Sequence, residues 1–233
     1  MAEKVINYDF DGFEVTVITP ENPNGKWIWK TEFLYAFDKA EVELVKLGYT
    51  RVYYKISNMY GNYKSIRLMH KFYLHIIEKF NLDKKCILFG FSRGGLYAFN
   101  YALSYPETVD KVYLDAPVLD LTTWPLKFEE GTDMRKCYDE MLICYNLTDQ
   151  TVLTFKDMPI NNLAEFFEHK IPLLLVAGDS DQVVSYERNS LKVIDFCKEN
   201  SIPLEYYVKP GCLHHPHSLE DVTPIIDFVV GRK

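Results

Sequence analysis

The sequence predicts an α/β protein: a mostly parallel central sheet of about eight strands, with helices on both faces. Three observations carry the prediction. Strand-like and helix-like segments alternate along most of the chain, which implies parallel strands joined by helical crossovers. The run Ile171 to Ala177 is almost unbroken in apolar residues, as in a strand covered on both faces. The first two strand-like stretches, Val5 to Tyr8 and Phe13 to Ile18, flank Asp11-Gly12, a pair suited to a hairpin turn, so an antiparallel ribbon opens the fold.

After the hairpin, the Pro, Asn and Gly content of residues 20–25 marks a loop, and Lys26 to Trp29 reads as a short strand. A helix is predicted from Thr31 to about Leu47, with Phe33, Phe37, Ala40, Leu44 and Leu47 on one face and Gly48 as its stop. Arg51 to Ile56 is the next strand, Tyr63 to Lys79 the next helix, then a strand Lys85 to Phe89, a helix Leu96 to Ser104 and a strand Lys111 to Leu114. Between residues 119 and 169 the alternation breaks into helical patterns without a strand, a candidate lid inserted in a single domain spanning residues 1–233. Met134, Tyr138, Met141 and Tyr145 form one stripe there, which either packs the insertion onto the body or faces a substrate. A helix from about Tyr186 to Glu199, a strand Leu204 to Lys209 and a helix from Ser218 to Val230 complete the chain.

Composition narrows the function classes. Of the 233 residues 48% are hydrophobic and 15% aromatic, enough for one large core. The net charge of −7 comes without a basic block, so nucleic acid is not an expected partner. No apolar run reaches the roughly 20 residues of a membrane span, and the N-terminal residues lack the pattern of a secretory signal. Five scattered cysteines without a Cys-x-x-Cys pair suit a reduced, cytoplasmic protein.

Chemistry concentrates at Lys85-Cys86-Ile87-Leu88-Phe89-Gly90-Phe91-Ser92-Arg93-Gly94-Gly95. A serine between a strand and a helix, with glycines two positions to either side, fits a turn too sharp for bulkier neighbours. Gly94, Ala98 and Ala102 let the following helix lie close to a sheet. Through Gly-x-Ser-x-Gly in this setting, the sequence resembles the α/β-hydrolase family. The wording Trp27-Ile28-Trp29-Lys30-Thr31-Glu32-Phe33, with His214-His215-Pro216-His217-Ser218-Leu219, resembles small bacterial esterases and prolyl-oligopeptidase-type serine hydrolases without a propeller.

The resemblance implies an α/β-hydrolase fold and a triad in the order Ser, acid, His. Ser92 is the nucleophile. Asp181 matches the acid of a Gly-x-x-Asp-x-Val-Val pattern, with Asp179 and Asp115 as alternatives, and His214 matches Gly-x-x-His, with His215 as the substitute. The oxyanion donors expected are the backbone N–H groups of Arg93 and of Lys30 or Trp29. Tyr60, Phe91, Met134 and Tyr138 are candidate pocket residues, and the side chains of Lys30 and Arg93 could favour an anionic substrate group. The histidine cluster lacks a second ligand group at metal-site spacing, so no metal or cofactor is expected. The activity expected is that of a serine carboxylesterase acting on a small-molecule ester. The alternatives are a small-peptide amidase of prolyl type and a catalytically silent small-ligand-binding protein of the same fold. The oligomeric state, monomer or homodimer, has no sequence signal.

Overall fold

Asp11 and Gly12 take left-handed backbone angles, with φ of 52° and 79°, and turn strand β1 (Glu3–Phe10) into β2 (Phe13–Pro20) in full antiparallel register. The computed structural model describes residues 3–125 and 131–232. From this hairpin the sheet grows through β3 (Trp27–Lys30), β4 (Thr50–Tyr54), β5 (Cys86–Phe91), β6 (Val109–Asp115), β7 (Leu173–Gly178) and β8 (Glu205–Lys209). The strand order is β1-β2-β4-β3-β5-β6-β7-β8, and every pairing from β4 to β8 is parallel. β5, which leads into Ser92, therefore lies mid-sheet between β3 and β6. The parallel strands all present their carboxyl ends along one edge.

Helices cover both faces. On one, α2 (Tyr63–Phe80), α3 (Gly94–Ser104) and α6 (Ser190–Glu199) bury Ile66, Met69, Phe72, Ala98, Phe99, Tyr101, Val193 and Ile194 against Trp27, Trp29, Val52, Leu88 and Val112. On the other, α1 (Lys39–Lys46) and α7 (Thr223–Val230) bury Ala40, Leu44, Ile225 and Val229 against Ile28, Phe89, Tyr113 and Leu174. Each large apolar side chain so enclosed contributes about 1.5–3 kcal/mol relative to leaving it in water. Among the described residues, no helix is long and apolar enough to cross a membrane.

Between β6 and β7 lie α4 (Asp133–Tyr145) and α5 (Leu163–Glu168), where the sequence predicts an insertion; its residues 126–130 fall outside the described residues. Tyr138 and Met141 of the predicted stripe are buried with Tyr60, Leu96, Val118, Leu121, Trp124 and Val184, and Met134 and Tyr145 pack at the margin. The stripe thus fastens α4 to the body.

Three helices start later than their sequence suggests, each for a local reason. Residues 31–38 form turns because Phe33 and Phe37 sit at φ of 56° and 51°, outside the right-handed helix; Phe33 is 39% exposed instead of lying on a buried face. The segment 183–189 is held open by the buried Asn189, whose side-chain oxygen accepts the N–H groups of Leu119 (2.8 Å) and Asp120 (2.9 Å). Ser218 has a φ of 68°, so the last helix waits until Thr223, whose N–H is capped by Asp221 at 2.9 Å.

Candidate active site

β5 delivers Ser92 onto a left-handed turn with φ of 49°, a strained setting for a residue with a side chain. The strain is held in place by hydrogen bonds on both sides: Ser92 N–H donates to Asp115 O at 2.9 Å, and Ser92 O accepts from Gly95 and Val118, each at 2.9 Å. Close packing explains the glycines. A Cβ on Gly90 would stand 2.8 Å from the Ala98 Cβ, and one on Gly94 would stand 2.9 Å from Thr31 Oγ1. Gly95, to which the sequence reading gave no role, is tighter still, since its Cβ would meet the Pro117 Cβ at 2.5 Å.

Ser92 Oγ lies 2.9 Å from His214 Nε2, and His214 Nδ1 lies 2.6 Å from Asp181 Oδ2. The second oxygen of Asp181 accepts N–H groups from Val183 and Val184, both at 2.9 Å, which fixes the carboxylate and favours its charged form. All three side chains are nearly enclosed, with residue exposures of 7–9%. Low exposure strengthens each of these bonds relative to water. The chain segments that carry acid and base are stitched together: Ser180 N–H donates to Cys212 O at 3.0 Å, and Gly211 N–H donates to Asp179 Oδ1 at 2.7 Å. Gly178 is required at this crossing, because a Cβ there would meet Cys212 O at 2.3 Å.

The alternative residues go elsewhere. Asp179 receives Gly211 instead of a histidine. Asp115 holds a different histidine: its Oδ1 accepts from His217 Nδ1 at 2.8 Å, and its Oδ2 accepts from Tyr113 Oη and Ser218 N–H, each at 2.7 Å. His215 is exposed and stacks on Phe37, with ring centroids 5.6 Å apart. Burial, then the neighbouring His217 and His214, push its pKa below the ordinary imidazole value.

The expectation for the second oxyanion donor needs correction. Trp29 and Lys30 are paired on both sides, with Val52 and Tyr53 of β4 and with Leu88 and Phe89 of β5, and Thr31 N–H donates to Phe89 O at 3.1 Å. Their amides belong to the sheet. Among the described residues, the N–H groups of Glu32, Phe33 and Arg93 make no hydrogen bond within the chain. The Lys30 side chain is also far from a site mouth: it is fully buried, with Nζ 2.5 Å from Glu41 Oε1 and 3.1 Å from the centre of the Phe91 ring. Burial pulls its pKa down against the pull of Glu41.

Pocket expectations divide. Phe91 is 1% exposed and packs against Tyr113 in the core beneath α1 and α7, because strand alternation sends it away from Ser92. Met134 and Tyr138 belong to the packing of the insertion, and the Tyr138 hydroxyl donates to Asp149 at 2.7 Å. Tyr60 is fully buried, at φ of 53°, with its hydroxyl on Glu140 Oε2 at 2.9 Å. Its ring touches Arg93, whose Cζ is 5.4 Å from the ring centre. The buried Glu32 and the residue Asn58, both partners of Arg93, escaped the sequence reading.

The ligand atoms of His214, His215 and His217 lie within 4.8 Å of one another, close enough to suggest a metal site. Both nitrogens of His214 are already engaged, so a cation held by all three rings would have to break the bond to Ser92 or the bond to Asp181. The cluster fits a metal poorly. A cavity of about 730 Å³ borders His217, Cys212 and Phe37 but not Ser92.

The sequence model described as the alpha/beta hydrolase fold matches residues 63–141, the stretch from α2 through Ser92 to α4. Among curated proteins no sequence matches. Solved structures do match in fold. An S-formylglutathione hydrolase, FrmB, from Staphylococcus aureus is 16% identical with a TM-score of 0.66, the match covering 98% of this chain and 95% of that one. A carboxylesterase, Cest-2923, from Lactobacillus plantarum is 15% identical, with a TM-score of 0.57 over 92% of this chain and 85% of the other. A puromycin-hydrolyzing peptidase from Mycobacterium tuberculosis is 14% identical, with a TM-score of 0.68 over 91% of this chain but only 36% of its own length.

Proposed function

Starting from the α/β-hydrolase fold of this chain, we propose that it is a serine hydrolase, a carboxylesterase that cleaves a small ester through an acyl-Ser92 intermediate. The observation that carries this reading is the continuous relay from Ser92 Oγ to His214 Nε2 at 2.9 Å and from His214 Nδ1 to Asp181 Oδ2 at 2.6 Å. A serine hydroxyl is a weak nucleophile at its ordinary pKa and gains reactivity when a base takes its proton.

In this reading Ser92 Oγ attacks the ester carbonyl carbon while its proton passes to His214 Nε2. Asp181 holds the imidazole in the tautomer with a proton on Nδ1 and stabilises the imidazolium that forms. The tetrahedral oxyanion is met by Arg93 N–H and by an N–H from the Glu32–Phe33 turn, groups with no hydrogen-bond partner among the described residues. The carbon–oxygen bond to the alcohol then breaks as His214 returns the proton to the leaving oxygen. Water attacks the acyl-serine by the same route in reverse, releasing the acid and restoring Ser92. The segment 119–169 acts as a cap through α4, which meets Tyr60 beside the elbow.

The sizes of FrmB and Cest-2923, each covered for most of its length, support an ester reading over that of a peptidase covered for about a third. Aryl esters of two to eight carbons should be hydrolysed by the wild type and not measurably by Ser92→Ala, and a fluorophosphonate should label Ser92. Undiminished hydrolysis by Ser92→Ala, or labelling at another residue, would refute the assignment. Faster cleavage of aminoacyl-proline amides than of aryl esters would replace the esterase by the amidase.

A further inference from the structure

An elbow needs only the backbone N–H of the residue after its serine; the side chain there is free to vary with the substrate. Here it is an arginine, and the loops beyond β3 and β4, at the carboxyl edge of the sheet, hold it. Arg93 Nη1 donates to Asn58 Oδ1 at 3.1 Å, beyond β4. Its Nε lies 3.4 Å from Glu32 Oε1, beyond β3. The guanidinium carbon is 5.5 Å from the centre of the Phe33 ring and 5.4 Å from that of Tyr60, so aromatic faces flank the cation. The side chain is 14% exposed.

This arrangement makes poor sense as a stabilising ion pair. Glu32 is 2% exposed, and its Oε1 and the Arg93 Nε both lack a hydrogen bond at proper distance. Glu32 Oε2 is taken by the Ser57 hydroxyl at 3.0 Å. A buried pair with such geometry recovers little of the cost of desolvating it. Its consequence is orientation. With Nε turned to Glu32 and one Nη1 hydrogen given to Asn58, three of the five guanidinium hydrogens, two of them on Nη2, have no partner among the described residues. A guanidinium fixed in one plane with unused N–H groups is preorganised for a carboxylate.

We propose that the Arg93 guanidinium is the anion-recognition group of the Ser92 site, so that the preferred substrates are small esters bearing a carboxylate near the scissile carbonyl. The proposal rests on the esterase reading and adds the substrate class to it. Phe33 and Tyr60 supply the apolar flanks for the carbon skeleton between ester and carboxylate.

The test compares kcat/KM within matched pairs differing in charge: 4-nitrophenyl hemiglutarate against 4-nitrophenyl pentanoate for an acyl-side carboxylate, and 4-acetoxybenzoate against 4-acetoxybenzamide for an alcohol-side one. In at least one pair the wild type should favour the anion by about tenfold or more, the range of a hydrogen-bonded charge pair. Arg93→Met should bring that ratio to near one, Arg93→Lys should keep part of it, and Glu32→Gln should raise it by freeing the cation from its carboxylate. Each ratio is taken within one variant, so any damage to the Arg93 N–H as an oxyanion donor cancels. The preference should also shrink as salt rises. Neutral esters favoured in both pairs, or a ratio that survives Arg93→Met, would overturn the proposal while fluorophosphonate labelling of Ser92 left the hydrolase reading standing. Absence of labelling together with no turnover of any ester would remove both.

Discussion

Two aspartate–histidine pairs lie side by side in this protein, their imidazole centroids 4.9 Å apart, yet they differ in what meets the second ring nitrogen. In Asp181–His214, the imidazole Nε2 meets the Ser92 hydroxyl, and the carboxylate's other oxygen is held by two amides of its own loop. In Asp115–His217, the carboxylate accepts from Tyr113 and Ser218 as well as from the histidine, and among the described residues no hydroxyl or thiol is hydrogen-bonded to the His217 ring. Asp115 also gives its backbone carbonyl to the Ser92 N–H. One residue therefore anchors the elbow with its main chain and the histidine segment with its side chain. The chemistry of the two pairs is the same; the partner of the second ring nitrogen separates a candidate base from a brace.

The sharpest way to break this contrast is Asp181→Asn. If His214 is the base, kcat toward an aryl ester should fall by about ten-thousandfold, because the amide favours the wrong imidazole tautomer, with little change in unfolding midpoint. Asp115→Asn should invert that pattern. Its amide cannot accept from Tyr113 and Ser218 as the carboxylate does, so urea unfolding should show a loss of about 2–4 kcal/mol with a far smaller loss of kcat. Comparable losses of kcat in the two variants would erase the distinction drawn here.

Gly178→Ala probes the crossing that brings the first pair together. A methyl group 2.3 Å from Cys212 O must push the histidine segment away, with a cost of about 1–3 kcal/mol and a fall in kcat at nearly constant KM. The smallest effect concerns His215, which belongs to neither pair. Its folded pKa is depressed, so it contributes stability above the unfolded imidazole pKa that is lost as pH falls through the folded value. His215→Asn should therefore lessen the loss of unfolding midpoint on acidification below about pH 6.5 and leave kcat nearly unchanged.

What the sequence determined by itself was the part written in local chemistry. Alternating apolar runs and turn residues dictate the strand order of events along the chain, and Gly90-Phe91-Ser92-Arg93-Gly94 dictates a turn that few other residues could make. The resemblance to the α/β-hydrolases, carried by local motifs, implied Ser92, Asp181 and His214, which follow β5, β7 and β8. Tertiary structure decided everything that depends on residues far apart in the chain. Phe33 and Phe37 carry helix-compatible spacing, yet residues 31–38 wrap the elbow, where Thr31 Oγ1 approaches Gly94 O at 2.8 Å. Lys30 resembled a cation at the site mouth until Glu41, eleven residues on, claimed it in the interior. Three histidines within four positions could be ranked by pattern, but only Asp115 and Asp181, on different strands' ends, assign each ring its partner. Periodicity reports which face a residue occupies; it carries no record of what another strand will place against that face.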